Sequence, residues 1–546
     1  MSGRPRIWVE LESGEIREIV ADRNDRSLAD TLAAHGFALS TRCGQRGLCR
    51  GCEVELRKGS LISGSDIVAA PAKVRACQAH VSRDVSLFIP RRGCIENSPE
   101  VSDTFEIAIP YAYQPLFEPQ AGGRDTGFAV DVGTTTVVVL LLDLTTGKVL
   151  SRASGLNEQI RFGDNVITRI DAARSPECLR AMQRAIAVET IQPLLLRACE
   201  LAGRLPERIA GGSIAGNTTM LHLLVGEDPT PLGVAPFVPG FIQGKRIAAE
   251  ALNLNAKGLS GETPIQLLPG IAAYIGADII AGIFATGMTY DSTPSMLVDI
   301  GTNGEIVLQS EGRLTACATA AGPAFEGCGL GYGARAREGT VSELSLTLDP
   351  FGFKAETIGH VPLSHAIGLC GSAYVDFLAT ARRSGLLRAA GRFDDRSWEK
   401  VPLQNRLNND GEMALILMES GGSKALRISE GDVALLLQAK AAIGAGIEIL
   451  LEMAGIRAAD LGRVYLAGGF GMHLNVRNAI AIGMLPGLRE DQVRVVGNTA
   501  LAGAFIALVD RAALEEMECL RTQVKTVELT LKKDFEDCYI EHLMLP

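Results

Sequence analysis

The same short loop occurs twice in this chain, about 170 residues apart. Residues 130–136 read VDVGTTT and residues 298–304 read VDIGTNG, and each loop follows a run of apolar residues. An acidic residue, a glycine and hydroxyl side chains between two strands are typical of a turn whose tip amides hold a phosphate. One such turn is a weak signal, but its repetition predicts two α/β units that each present a phosphate loop.

The two loops supply candidate ligands for phosphate and magnesium. A glycine lets the backbone approach a phosphate closely, and threonine hydroxyls donate hydrogen bonds to phosphate oxygens. The candidate phosphate contacts are Gly133, Thr134, Thr135 and Thr136 in the first loop and Gly301, Thr302, Asn303 and Gly304 in the second. The carboxylates of Asp131, Asp299 and Glu305 are our candidates for holding magnesium and positioning water.

A third glycine-rich loop lies towards the C-terminus, where an apolar segment ends in Gly468, Gly469, Phe470 and Gly471. Such a loop can lie flat under an adenine ring and a ribose. In this order the three loops resemble the phosphate-1, phosphate-2 and adenosine motifs of the acetate and sugar kinase, Hsp70 and actin (ASKHA) superfamily. Residues 498–504 (NTALAGA) resemble its second connecting helix, at which the lobes hinge. The resemblance implies that ATP binds with magnesium between two lobes.

Four cysteines near the N-terminus form a separate motif. Cys43, Cys49 and Cys52 have the spacing C-x5-C-x2-C, and Cys77 follows after twenty-four further residues. Iron-sulfur clusters need thiolates on a loop that can wrap round the sulfides, and three glycines in this loop supply that freedom. Zinc is the alternative, although zinc ribbons usually contain two CxxC pairs and this segment has one. The spacing resembles that of adrenodoxin-type ferredoxins, which implies that the four residues hold a 2Fe-2S cluster.

Local patterns around the cysteines predict a small domain over residues 1–93. Residues 6–20 alternate around a turn as a hairpin, and a helix is predicted over residues 28–34 with Ser27 as its N-cap. Residues 94–124 contain several prolines and little periodicity, which predicts a flexible linker.

The predicted fold class is an α+β ferredoxin-like β-grasp domain followed by a two-lobed α/β ASKHA ATPase. The ATPase lobes are expected over residues 125–290 and 291–546.

Composition and charge limit the partners and the compartment. The net charge of −10 argues against nucleic acid as a partner. The first residues lack the apolar core of a secretory signal, and the apolar stretch 269–288 is interrupted by Tyr274 and Asp278, which favours a core helix over a membrane span. Twelve cysteines without an export signal favour metal ligands and buried thiols. We therefore expect a cytoplasmic protein without a membrane partner.

Three further strings extend the resemblance over nearly the whole chain. They are AGNTTM at 215–220 with His222, LGVAPF at 232–237 and AGPAFEG at 321–327. Together with the order of cluster domain, linker and ATPase, they resemble the reductive activators of corrinoid-dependent enzymes (RACE proteins).

The resemblance implies an ATP-dependent reductive activator. Such a protein transfers an electron from its 2Fe-2S cluster to the inactive Co(II) corrinoid of a methyltransferase or demethylase partner, which restores Co(I). A low-potential electron donor would be its other partner, and a homodimer is compatible with this arrangement. The chain has no Asp-x-His-x-x-Gly string, the signature of base-off corrinoid binding, so the cobalt is expected to belong to the partner.

Three other functions fit parts of the sequence. Activators of 2-hydroxyacyl-CoA dehydratases and benzoyl-CoA reductases pair the same ATPase fold with a 4Fe-4S cluster shared between two subunits, for which Cys317 and Cys328 are the only nearby cysteines. A metabolite kinase with a redox-sensing ferredoxin domain would need a phosphoryl acceptor. An ATP-gated scaffold without turnover would release no phosphate.

Overall fold

The structure is a computed structural model that describes most of the chain. The described residues are 4–11, 14–21, 27–37, 39, 45, 47, 52–64, 66–89, 105, 114–119, 123–409, 412–418 and 425–546. Two of the four predicted cluster ligands, Cys43 and Cys49, lie outside these residues, as does most of the predicted linker.

In its described residues the N-terminal unit has a mixed five-stranded sheet, a small three-stranded sheet and one α-helix, which confirms the predicted β-grasp fold. The helix α1 (Leu28–Ala34) begins at Ser27, whose side chain accepts a hydrogen bond from the Asp30 amide, as the sequence predicted. The strands are β1 Arg6–Leu11, β2 Ile16–Val20, β3 Glu53–Lys58, β4 Ser60–Ser63, β5 Asp66–Ala69, β6 Ala72–Arg75, β7 Ala79–His80 and β8 Val85–Ile89. The main sheet has the order β2-β1-β8-β3-β6, and β1 runs parallel to β8.

The first lobe of the ATPase is a six-stranded sheet covered by helices. Its strands are β9 Thr126–Val132, β10 Thr136–Asp143, β11 Val149–Leu156, β12 Ile209–Gly216, β13 Lys245–Ala248 and β14 Pro264–Leu267. Its helices are α2 Val166–Ala172, α3 Pro176–Ile186, α4 Gln192–Ala202, α5 Thr218–Val225 and α6 Ala277–Thr286. The strand order is β11-β10-β9-β12-β14-β13.

The second lobe is built on another six-stranded sheet, with two small sheets beside it. Its strands are β15 Ser295–Ile300, β16 Gly304–Ser310, β17 Arg313–Thr319, β18 Thr340–Leu348, β19 Phe351–Thr357, β20 Gly368–Leu369, β21 Arg406–Asn409, β22 Glu412–Met418, β23 Leu426–Ser429, β24 Arg463–Ala467, β25 Val493–Gly497 and β26 Val524–Val527. The helices are α7 Gly371–Arg383, α8 Asp395–Trp398, α9 Glu430–Ala454, α10 Val476–Ala481, α11 Thr499–Val509, α12 Arg511–Gln523 and α13 Phe535–His542.

The two large sheets share one topology, which explains the repeated loop. In each, an antiparallel meander of three strands continues through its first strand into two parallel strands: β11-β10-β9-β12-β14 in the first lobe and β17-β16-β15-β24-β25 in the second. The phosphate loops are the first hairpin turn of each meander. Equivalent turns from related lobes can therefore face one another across the cleft between them.

Helices α6 and α11 pack against each other at the junction of the lobes. A Cβ atom at Gly503 would lie only 2.3 Å from the Cβ atom of Ala281, so the glycine is what permits the close crossing. Side chains of α11 and α12 belong to the apolar core of the first lobe, although both helices follow residue 291. The predicted division at residues 290/291 therefore separates the two sheets but does not separate the helices that pack on them.

The end of the predicted linker is part of the ATPase. The Gln114 and Leu116 amides donate hydrogen bonds to the carbonyls of Val509 and Leu508, and both distances are 2.9 Å. Leu116 and Phe117 are buried in the core of the first lobe. Residues 114–119 are thus fixed by apolar burial, and the flexible linker predicted over 94–124 does not include them.

Among the described helices, α9 is long and apolar enough to cross a membrane by length and composition. Most of its apolar window is buried inside the second lobe, which is the environment of a core helix. The stretch 269–288, which the sequence analysis also assigned to a core helix, contains the buried helix α6.

Candidate functional site

A cavity of about 220 Å³ lies between the lobes, and all three glycine-containing loops line it. Thirteen of the predicted nucleotide-site residues contribute to its walls: Asp131, Gly133, Thr134, Thr135, Thr136, Asp299, Gly301, Thr302, Asn303, Glu305, Gly468, Gly469 and Phe470. The fold therefore brings together segments that are more than 300 residues apart in the sequence.

Two further predicted contacts, Gly304 and Gly471, do not line this cavity. Gly304 pairs with Thr319 in the sheet, and a Cβ atom at Gly304 would lie 2.7 Å from the Thr319 hydroxyl oxygen. Gly471 is buried beside the Leu466 side chain. Both glycines make room for protein atoms behind the cavity and not for a ligand.

Polar side chains of the first lobe form hydrogen bonds with the first phosphate loop. Its turn is closed by a 3.0 Å hydrogen bond from the Gly133 amide to the Thr136 carbonyl, and a Cβ atom at Gly133 would lie 2.5 Å from that carbonyl oxygen. Asn217, the N-cap of α5, donates to the Thr134 hydroxyl oxygen at 2.9 Å. The fully buried guanidinium of Arg169 donates to the Thr134 carbonyl. The protein's own hydrogen bonds therefore fix the conformation of this loop.

Four carboxylates face the floor of the cavity. Burial, together with repulsion from Asp278 and Asp131, raises the pKa of Asp299 to about 8. Burial likewise raises the pKa of Asp131 to about 7, although a hydrogen bond from the Asn498 side chain, 2.8 Å long, opposes the shift. Burial and repulsion from Asp278 raise the pKa of Glu305 well above its usual value, and burial raises that of Asp278 to about 6.

This cluster has the chemistry of a magnesium site. Mutual repulsion among carboxylates out of bulk water disfavours their charged forms, and a divalent cation removes that penalty. Mg²⁺ is bound by a few carboxylates together with waters and phosphate oxygens. Asp131, Asp299 and Glu305 would hold or orient such an ion next to the two phosphate loops.

The adenosine loop is packed against the second phosphate loop. Gly468 has a φ of +93°, and a Cβ atom there would lie 2.4 Å from the Ile300 carbonyl oxygen, so only glycine fits. The next residue, Gly469, faces open space. The Phe470 ring stacks on Phe325, with the centroids 5.1 Å apart and an angle of 24° between the rings. This leaves an open backbone surface over which a base and a ribose can lie.

The two phosphate loops meet at their hydroxyl groups. The hydroxyl oxygens of Thr135 and Thr302 are 3.4 Å apart, and both hydroxyls donate to the carboxylate of Glu326. The Thr135 bond is 3.0 Å long, and the Thr302 hydroxyl lies 3.1 Å and 3.2 Å from the two carboxylate oxygens. One side chain thus joins the two lobes at the point where the predicted phosphate contacts converge.

Sequence reasoning did not assign roles to Arg169, Asp278 and Glu326. Asp278 was visible only as the charged interruption of an apolar stretch, which was itself a signal of a polar site. Glu326 lies in the AGPAFEG string that helped to carry the family resemblance. Arg169 lies on the helix α2 without a motif around it, and no local signal indicated that it is buried.

Two of the four predicted cluster ligands lie in the described residues, and they are adjacent. Cys52 is fully buried, Cys77 is 7% exposed, and the Ala76 amide donates a 3.0 Å hydrogen bond to the Cys52 carbonyl. The contact with Cys52 is the largest of the effects that lower the Cys77 pKa to about 6. Two thiols at one point, one of them biased towards thiolate, fit a metal-sulfur site.

Side chains that flank Cys77 in the sequence form hydrogen bonds with the cysteine loop. Arg75 donates to the Gly47 carbonyl at 2.5 Å, and Gln78 donates to the Gln45 carbonyl at 2.6 Å. The Gln78 amide nitrogen also lies 3.7 Å from the Cys77 sulfur. These bonds hold the two described points of the loop, Gln45 and Gly47, beside the fourth predicted ligand.

Comparison with known families agrees with this arrangement. Residues 11–82 match the 2Fe-2S iron-sulfur cluster binding domain, residues 126–291 match the RACo middle region, and residues 293–546 match the C-terminal domain of RACo, the ASKHA domain. The chain belongs to the RACo family. Membership means that it carries a 2Fe-2S cluster on its N-terminal domain and uses ATP on the ASKHA domain.

Three characterised proteins are similar to this RACo-family chain. The corrinoid activation enzyme RamQ of Eubacterium limosum is 33% identical over 431 residues, which cover 77% of this chain and 70% of RamQ. The [Co(II) methylated amine-specific corrinoid protein] reductase of Methanosarcina barkeri is 27% identical over 414 residues, which cover 72% of this chain and 71% of the reductase. A solved reductive activator for corrinoid, iron-sulfur protein has 28% identity and a TM-score of 0.73, with 99% of this chain and 98% of that chain covered.

In the RACo-type ATPase, Cys317 and Cys328 lie in different surroundings that do not favour metal ligation. Cys317 is buried in β17 with its sulfur 3.9 Å from the Gly446 carbonyl, whereas the Cys328 sulfur accepts a 3.5 Å hydrogen bond from Arg335. Burial raises the pKa of both thiols, which disfavours thiolate ligands. In the described residues, the one group spaced to share a metal ion, Glu448 with Cys538 and His542, includes neither cysteine.

Proposed function

We propose that this protein is an ATP-dependent reductive activator that returns the inactive Co(II) corrinoid of a methyltransferase or demethylase partner to Co(I). One electron leaves the reduced 2Fe-2S cluster, which becomes oxidised, and one cobalt ion gains it. A low-potential donor then reduces the cluster again. The observation that carries the proposal is that one chain joins a cysteine cluster site to a two-lobed nucleotide cleft and aligns over 99% of its length with a solved corrinoid activator.

ATP has a specific physical task in this proposal. Co(I) is a very strong reductant, so electron transfer from an ordinary 2Fe-2S donor to Co(II) is uphill. A nucleotide shifts a conformational equilibrium only by its differential affinity for the two states, so ATP must bind one lobe arrangement more tightly than the other. The cleft suits this task because its phosphate ligands come from both lobes, and closure is therefore completed by the terminal phosphates.

Different residues of the cleft would bind the phosphates, the magnesium ion and the nucleoside. Thr135 and Thr302 present hydroxyls from opposite lobes, the carboxylates of Asp131 and Asp299 would take the magnesium ion, and the Gly468 loop provides a surface for the nucleoside. Near the N-terminus, Cys52 and Cys77 would provide two of the four thiolates, and we assign the other two to Cys43 and Cys49, which lie outside the described residues.

The decisive experiment mixes the reduced protein with a Co(II)-loaded corrinoid protein of a methyltransferase system and follows the loss of Co(II) absorbance. We expect reduction that requires MgATP, together with phosphate release that accelerates when the corrinoid partner is added. The Asp299→Ala variant should keep a cluster that dithionite reduces but should lose ATP-dependent reduction of cobalt. Reduction at the normal rate by this variant would contradict a role of ATP in the transfer.

The same preparation tests the other functions. A kinase would transfer the terminal phosphate of ATP to one of a panel of small alcohols and carboxylates, and a scaffold without turnover would release no phosphate. The physiological electron donor and a homodimeric state are part of the proposal at a finer level, and light scattering of the purified protein checks the oligomeric state. The cytoplasmic location expected from the sequence also stays a prediction, which cell fractionation would test.

A further inference from the structure

The short segment around Glu326 contacts all three nucleotide loops at once. Phe325 is buried and stacks on Phe470 of the adenosine loop, and its neighbour Glu326 accepts hydrogen bonds from Thr135 and Thr302 of the two phosphate loops. The segment belongs to none of the three loops, so the roles proposed for the loops do not explain its contacts.

The position of the Glu326 carboxylate conflicts with a bound phosphate. The carboxylate accepts the hydroxyl hydrogen bonds of Thr135 and Thr302, the same donors that are predicted to bind phosphate oxygens. Two anions in contact repel one another, and the repulsion is strongest where little water screens it. A terminal phosphate between the loops would therefore have to displace the carboxylate.

A basic side chain stands beside the segment and can receive the displaced carboxylate. Arg335 lines the same cavity, and its Nε atom is buried without a hydrogen-bond partner among the described residues. Glu326 and Arg335 both act electrostatically on the Cys328 thiol, which places the two charges in one neighbourhood. A buried donor without a partner is costly, so pairing with a carboxylate would satisfy it.

The backbone on either side of Glu326 passes through the left-handed region at two glycines. Gly322 and Gly327 both have a φ of +74°, and a Cβ atom at Gly327 would lie 2.4 Å from the Ala334 carbonyl oxygen. These two glycines bound a one-turn helix that carries Phe325 and Glu326. A movement of Glu326 would therefore also alter the stacking of Phe325 on Phe470.

We propose that Glu326 is a phosphate-displaced clasp, which joins the two phosphate loops in the nucleotide-free protein and yields their hydroxyls to the terminal phosphate of ATP. The displaced carboxylate turns to Arg335, and residues 323–339 change their packing when the γ-phosphate position is filled. This inference rests on ATP binding in the proposed function, and it makes Glu326 a positioning residue that distinguishes ATP from nucleotides with fewer phosphates.

The test measures the affinity of the full-length protein for three probes by calorimetry: a non-hydrolysable ATP analogue, ADP and AMP, each with magnesium. Glu326→Gln keeps an oxygen that can accept from the threonines but removes the charge. We expect this variant to bind the ATP analogue about tenfold more tightly, which corresponds to about 1.4 kcal/mol, and to bind AMP with unchanged affinity. The matched control is Glu338→Gln, which removes the same charge from an exposed position of the same segment and should change none of the three affinities.

Weaker binding of the ATP analogue, or an equal change for all three probes, would overturn the proposal. A measurement on the wild-type protein keeps the test independent of how the variant folds. Amide hydrogen exchange of residues 323–339 should rise with the ATP analogue and stay unchanged with AMP, and the same exchange with both probes would also overturn it. A wild-type protein that binds none of the three probes would contradict both the proposed function and the clasp, whereas normal binding of the ATP analogue without the expected change in the Glu326→Gln variant would contradict the clasp alone.

Discussion

The guanidinium of Arg169 lies beneath the first phosphate loop and donates a hydrogen bond to the backbone carbonyl of Thr134. The same guanidinium donates to the Gly163 carbonyl at 2.9 Å and to the Gln159 side chain at 3.1 Å. Burial lowers its pKa to about 9, so the group is still charged at neutral pH. A positive charge is thus fixed behind a loop that is expected to bind phosphate, without facing the cavity itself.

Replacing this arginine should weaken both the fold and the site. Arg169→Gln leaves the buried carbonyls of Thr134 and Gly163 without a donor, and each unsatisfied acceptor costs about 1–3 kcal/mol of unfolding free energy. We expect a lower melting temperature and at least a tenfold loss of affinity for the ATP analogue. Arg174→Gln, whose side chain is 63% exposed, is the matched control and should change neither quantity. Unchanged affinity in the Arg169 variant would show that the first phosphate loop binds nucleotide without the hydrogen bond from Arg169.

The crossing of α6 and α11 gives a second prediction, which concerns lobe movement. Gly503→Val places a branched side chain where a single Cβ atom would already lie 2.3 Å from the Cβ atom of Ala281. The helices must separate, so we expect slower ATP hydrolysis and an unfolding free energy reduced by about 1–3 kcal/mol, as is typical of overpacking. Ala512→Val adds similar bulk at an exposed position of α12 and should leave both unchanged. A Gly503 variant with normal hydrolysis would exclude this crossing as the hinge.

The features that the sequence predicted are those encoded by local residues. Each phosphate loop is a hairpin turn, so its glycine and its threonines are adjacent in the chain, and the strands before it are recognisable from their apolar runs. The helix α1 was predicted from its N-cap, and the Ser27 side chain accepts a hydrogen bond from the Asp30 amide at its start. Order and repetition of such local units were enough to identify the two-lobed fold.

The features that the sequence did not predict depend on contacts between distant segments. Glu326 bridges Thr135 and Thr302 only because the lobes bring together residues that are 191 and 24 positions away from it. The apolar pair Leu116 and Phe117 was assigned to a linker, because prolines and glycines around it outweighed two residues whose burial depends on the first lobe. Burial of a short segment against a preformed core has no periodic signal in the sequence.

The raised pKa values of the cleft carboxylates predict a pH dependence of stability. Because the pKa of Asp299 is about 8 in the fold, the folded protein keeps a proton that the unfolded chain loses near pH 4. The stabilisation from that proton is complete below pH 4 and is lost as the pH rises through about 8. The nucleotide-free protein should therefore melt at a lower temperature at pH 8.5 than at pH 6.

Asp299→Asn should remove much of this dependence, since an amide does not ionise. We expect the variant to melt about 3–5 °C above the wild type at pH 8.5 without magnesium, and to have lost ATP hydrolysis. Asp460→Asn is the control, because that exposed carboxylate is paired with Arg457 and its pKa is lowered. Equal melting temperatures of the wild type and the Asp299 variant at pH 8.5 would show that this carboxylate is not destabilising when charged.

The cluster and the nucleotide site should fail separately, because they are built on different domains. Cys77→Ser removes a predicted ligand that is 7% exposed beside Cys52, so the purified variant should lose most of the expected two irons and two sulfides per chain. Its affinity for the ATP analogue should equal that of the wild type, since none of the described residues that line the cavity precedes Asp131. Cys178→Ser, a half-buried thiol of α3, is the control and should retain full iron and sulfide. Iron and sulfide analysis, with calorimetry on the same samples, measures both sites.

A Cys77 variant with a complete cluster would mean that the fourth ligand lies elsewhere in the chain. Stoichiometric zinc without sulfide in the wild type would mean that the cysteines form a zinc site and not an iron-sulfur cluster.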